Sequence, residues 1–114
     1  MDQNINIRFR VWVDKGELPY LGIGRIVLLE NIIEHGSITK GAEAINMSYR
    51  KAWQLVEDMN KLSNKPLVEK RLGGKEGGGA IVTDEGRKII KKFYELQSQV
   101  EDFLQGKLQE VGFE

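Results

Sequence analysis

The chain has 114 residues, no cysteine, one histidine, and 17 basic against 17 acidic residues, for a net charge of zero. The length suits one domain, residues 1–114, and 40% hydrophobic with 30% charged residues is a folded rather than a disordered composition. The missing thiols exclude disulfides, thiolate metal sites and cysteine nucleophiles, and the longest aliphatic run, four residues from Ile26 to Leu29, is too short to span a membrane.

Residues 5–13 alternate, with Ile5, Ile7, Phe9, Val11 and Val13 on one side and Asn6, Arg8, Arg10 and Trp12 on the other. Period two with β-branched and aromatic residues predicts a strand with one buried face. Asp14-Lys15-Gly16-Glu17 predicts a turn, and Leu18 to Leu21 a short returning strand that Pro19 confines to an edge, so residues 5–21 form an N-terminal β segment. Arg25 to His35 carries the apolar stripe of a first helix, ended by Gly36. Ser37 is placed to cap a second helix, in which Ile38, Ala42 and Ile45 recur at helical spacing. Asn46-Met47-Ser48 makes a three-residue turn, with Ser48 as the next cap. The third helix runs from Tyr49 to about Leu62. Ala52, Leu55, Val56, Met59 and Leu62 lie on one face, and Arg50, Gln54, Glu57 and Lys61 on the other. Leu67 to Leu72 and Ala80 to Thr83 read as two strands joined by a glycine-rich loop, a hairpin with a mobile tip. Thr83 or Asp84 then caps a long helix over 84–111. Its residues Ile89, Phe93, Leu96, Val100 and Phe103 are spaced 4, 3, 4, 3, the rhythm of a helix packed along another helix, and predict a dimerisation face.

The neutral chain has a basic middle. From Ser37 to Lys75 there are eight basic and four acidic residues, net +4, which provides a local phosphate-binding face. Three helices with a short turn between the second and third, followed by a basic hairpin, spell a winged helix-turn-helix: an α+β fold, mainly α, with the helix-turn-helix and wing over 25–83. In that arrangement the third helix enters the DNA major groove. Ser48, Tyr49, Arg50, Lys51 and Gln54 supply side chains that can bond base edges, and Lys70, Arg71 and Lys75 in the wing suit phosphates. Ser37, Thr39 and Lys40 at the start of the second helix and Lys61 near the end of the third complete the candidate DNA-binding set.

The runs Gly36-Ser37-Ile38-Thr39-Lys40-Gly41-Ala42 and Met47-Ser48-Tyr49-Arg50-Lys51-Ala52-Trp53 resemble the N-terminal DNA-binding domain of ModE-type molybdate-dependent regulators. The resemblance continues through Met59-Asn60-Lys61-Leu62-Ser63, Leu67-Val68-Glu69-Lys70-Arg71 and the glycine wing from Gly73 to Ala80, covering roughly residues 24 to 104. The Gly-Ser-Ile-Thr helix is shared more loosely with LysR-type regulators. The resemblance implies a dimeric winged-helix DNA binder, with Ser48, Tyr49, Arg50 and Lys51 opening the recognition helix and Lys75 in the wing. The family's oxyanion-binding domains have no counterpart in this sequence, so no response to molybdate is expected.

Other readings fit less well. The loop Gly73 to Gly79 lacks the Gly-Lys-Ser/Thr of a nucleotide-binding loop, since Glu76 follows Lys75. His35, at the end of a helix, suits the helix dipole better than catalysis, so no enzymatic activity and no cofactor or metal is expected. A winged-helix protein-interaction module is the alternative, favoured by Glu57 on the outer face of the third helix. The expectation is a cytoplasmic homodimer on a palindromic duplex, with half-sites about one helical turn, or a multiple, apart.

Overall fold

In the computed structural model, residues 5–71 and 79–113 are described. Two short antiparallel hairpins and four helices follow one another: β1 (Trp12–Lys15), β2 (Leu18–Gly22), α1 (Ile23–His35), α2 (Ile38–Ala44), α3 (Tyr49–Leu62), β3 (Val68–Arg71), β4 (Gly79–Val82) and α4 (Asp84–Val111). This is a winged helix-turn-helix with a β hairpin in front and a long helix behind.

The β1–β2 ladder runs from Trp12 opposite Gly22 to Lys15 opposite Leu18, turning at Gly16 with φ +64°. Its register slips between Val13 and Asp14, where Asp14 faces Pro19, a residue with no N–H to give a ladder. The strand expected over 5–13 is therefore much shorter. Residues 5–11 carry no regular secondary structure, because β2 gives way to α1 at Ile23 and leaves nothing for them to pair with. The Lys15 ammonium donates to the Leu62 carbonyl and ties this hairpin to the end of α3.

α1 begins two residues before the expected Arg25 and ends on Gly36, whose φ of +80° reverses the chain. α2 then packs back on α1. Its Gly41 lies so close that a Cβ there would stand 3.0 Å from the Ile32 nitrogen, so a larger residue would press on the α1 backbone. Asn46, with φ +54°, makes the turn into α3. The serine caps form as expected: Ser37 Oγ accepts from Lys40 N at 3.0 Å and Ser48 Oγ from Lys51 N at 3.1 Å. α3 presents Ala52, Val56 and Met59 to the core.

Hydrogen bonds from three residues, Asn60, Ala80 and Thr83, hold the β3–β4 wing. Asn60 of α3 bonds the backbone of Leu67 and Val68. Ala80 N donates to Gly36 O at 3.0 Å. The Thr83 hydroxyl donates to Pro66 O at 2.7 Å while its oxygen caps Gly86 N at 3.0 Å. Val68, Ala80 and Val82 complete the core beneath.

The largest fully buried side chains are Ile26, Leu28, Leu29, Ile32, Val56, Met59, Leu67 and Phe93. Phe93, expected on the dimerisation stripe, is only 1% exposed within its own chain, and Ile89 packs partly against the same cluster. The 4, 3 spacing does not distinguish a face covered by a second copy from one covered within the chain, and its first two members belong to the chain's own core cluster or pack against it. Beyond Phe93 no described residue of α4 is buried. The radius of gyration, 17.3 Å, exceeds the roughly 13 Å of a compact chain this long, because the distal part of α4 projects from the core.

Candidate nucleic-acid interface

The interface starts from the caps. Ser48 closes the first turn of α3 with its own hydroxyl, so the next residues leave the turn pointing into solvent. Tyr49 is 53% exposed, and Arg50, Lys51 and Gln54 are all exposed. The N-terminal end of α3 also carries the positive end of the helix dipole, which favours a phosphate there. Thr39 and Lys40 are exposed in the first turn of α2; Ser37 is half-buried, with its oxygen accepting from Lys40 N. Lys61 is exposed toward the far end of α3.

The acids on α3 are not left facing outward alone. Gln54 Nε2 donates to Asp58 Oδ1 at 2.9 Å. Glu57 Oε1 stands 4.0 Å from Lys70 Nζ, and the same ammonium lies 4.4 Å from the centre of the Trp53 ring. The charge pattern counts Lys70 among the phosphate contacts, and it gives neither Trp53, which the helical spacing puts partly in the core, nor Asn60 a role in holding the wing. The signal was in the alternation of β3, which puts Lys70 on the side of buried Val68 and Arg71 on the opposite side. Arg71 is exposed and, among the described residues, makes no ion pair. Lys75 lies outside the described residues.

Comparison with known proteins bears directly on this surface. No protein-family model matches the chain. It is 44% identical over 77 residues to the DNA-binding transcriptional dual regulator ModE of Escherichia coli (strain K12), a match covering 68% of this chain and 29% of that protein. This chain is a homologue of the ModE regulators. The molybdenum transport protein ModE of Azotobacter vinelandii is 40% identical over 90 residues, 76% of this chain and 33% of that protein. The molybdenum-pterin-binding protein MopA of Rhodobacter capsulatus is 44% identical over 75 residues, 66% of this chain and 28% of its own length. The matches thus span only 28–33% of these relatives, ModE included. Among the described residues no group of His, Cys, Asp and Glu is placed to hold a metal ion, and no helix is long and apolar enough to cross a membrane.

Proposed function

We propose that this protein is a sequence-specific regulator that binds duplex DNA as a homodimer in the cytoplasm. The observation that carries the reading is the exposed first turn of α3, where Tyr49, Arg50 and Lys51 project beside Gln54 with the wing alongside. A major groove about 12 Å wide admits one such helix, and Arg50 and Gln54 have the donors and acceptors to bond guanine and adenine edges. Thr39 and Lys40 on α2, Lys61 in the last turn of α3 and Arg71 on the wing serve as phosphate contacts, with the backbone at the Ser37 and Ser48 caps contributing N–H groups.

The dimer reading rests on distal α4. Leu96 is 42% and Phe103 63% exposed, with Val100 between them on the same stripe. Covering two such side chains gains about 1.5–3 kcal/mol each. The pairing of Lys70 with Glu57 favours DNA over a protein partner, since it offsets one of the acids that would repel phosphate.

Selection of bound sequences from random duplexes tests the reading. A two-fold symmetric motif is the expected result. Failure to enrich any duplex, with salt-independent binding, would instead point to a protein-interaction module.

A further inference from the structure

We propose that Lys70 is a positioning residue that sets the wing against the recognition helix, and that Arg71 is the phosphate contact of strand β3. The inference rests on the DNA-binding reading above and deepens it. Trp53, Glu57 and Asn60 occur at i, i+4 and i+7 on α3, one stripe along the helix. All three reach β3. Trp53 and Glu57 hold the Lys70 ammonium at 4.4 and 4.0 Å, and Asn60 bonds the Val68 backbone at 3.0 and 3.2 Å.

The strand is therefore laid along this stripe, with Val68 and Lys70 turned toward the core side. Val68 and the ladder partners Val82 and Ala80 are buried, while Lys70 remains exposed at the margin. Lys70 is the outermost of these links, nearest the wing tip. Its charge faces a carboxylate and the negative face of an indole, which reduces what it can offer to a phosphate. Arg71, on the other face of β3, has no such partners among the described residues.

Trp53 emission and a double-mutant cycle on duplex binding test this. In a Trp12→Phe background, Trp53 is the sole indole. Lys70→Met should shift its emission in the DNA-free protein, and Lys70→Arg should restore it. On the selected duplex, Lys70→Met should cost at most about tenfold in affinity, the combined strength of one exposed cation–π contact and one exposed ion pair. In a Trp53→Leu background the same change should cost less than about twofold, because positioning through Trp53 is already lost. Glu57→Gln offers a second background should Trp53→Leu fail to fold. Arg71→Ala should lower the salt slope of binding by about one unit.

Additive losses for Lys70 and its α3 partners, with a lowered salt slope for Lys70→Met, would make Lys70 an ordinary phosphate contact and overturn the proposal. Unchanged Trp53 emission in Lys70→Met would overturn the clamp itself. Absence of duplex binding by the wild type would overturn the DNA reading and the role given to Arg71, while the emission change still reported on the clamp.

Discussion

Asn60 exchanges two hydrogen bonds with Val68: its Nδ2 donates to the Val68 carbonyl at 3.0 Å while its Oδ1 accepts from the Val68 N–H at 3.2 Å. The side-chain amide thus stands in for a strand's peptide group on the one edge of β3 that faces the helix. Oδ1 also accepts from Leu67 N at 2.8 Å. Asn60→Ala strands three part-buried backbone groups and should lower stability by about 2–3 kcal/mol. Chemical denaturation reads the loss directly. Asn60→Asp keeps the acceptor and loses the donor, so its midpoint should fall between wild type and alanine.

Glycine-to-alanine changes in α4 should have opposite signs at two positions. Inside a helix this substitution ordinarily stabilises by about 1 kcal/mol. Gly106 has open space where a Cβ would go, so Gly106→Ala should raise the melting temperature. A Cβ on Gly86 would run into the Leu67 carbonyl and the Val82 side chain. Gly86→Ala should therefore lower it, by forcing α4 off the β3 connection. A stabilising Gly86→Ala would contradict the close packing at this corner.

Arg50 and Arg71 should separate reading from holding. Arg50→Ala should weaken the selected duplex more than random duplex, by about 1–3 kcal/mol of discrimination. Arg71→Ala should weaken both alike. Titration of each variant against both duplexes at several salt concentrations decides between these roles. Equal losses for Arg50→Ala would move it to the phosphate-contact class.

Association should depend on the outward part of the α4 stripe alone. Leu96→Asp with Phe103→Asp should give a folded monomer by sedimentation, since both side chains are exposed in the single chain. Phe93→Asp should instead unfold the protein, because Phe93 is core. A wild-type monomer at micromolar concentration would remove the basis for a homodimer.

The phenol of Tyr94 donates to Glu30 Oε1 at 2.7 Å and joins α4 to α1. Burial, then the hydrogen bond and charge of Glu30, push its pKa up to about 12 from 10.0. Because the folded state holds this proton more tightly, the associated stability is fully present below pH 10 and is lost as pH rises toward 12. Tyr94→Phe should remove that part of the alkaline decline. The remainder includes Tyr20, whose pKa burial also raises. Ultraviolet titration of the phenolates and denaturation across the same range check both halves.

What the sequence reveals is local. The bounds of α3, the three hydroxyl caps and the glycine stop after α1 follow from side chains acting on backbone within a few residues. The chain fails to reveal partners that are distant in sequence. Residues 5–11 have a strand's alternation but no neighbouring strand, and a ladder needs both. Phe93 has a dimer interface's spacing, yet it is buried in the chain's own core. Lys70 carries a phosphate contact's charge, but the strand register turns it toward Trp53 and Glu57. In each case packing between distant segments decides what surrounds the residue.

If α4 pairs two copies on DNA as proposed, its projecting end also makes helical phase a variable in recognition. At 1.5 Å per residue the 28 residues of this helix extend about 42 Å, rooted in the core at one end and offering Leu96 to Phe103 beyond it. One residue inserted after Phe93 would turn that outer stripe by about 100° relative to α3. Two paired copies would then aim their recognition helices at different sides of a duplex, although each remained folded and able to dimerise. Seven inserted residues, close to two full turns, would nearly restore the direction while lengthening the arm by about 10 Å. Half-site spacing should accordingly respond to the length of this helix in a periodic rather than a gradual way.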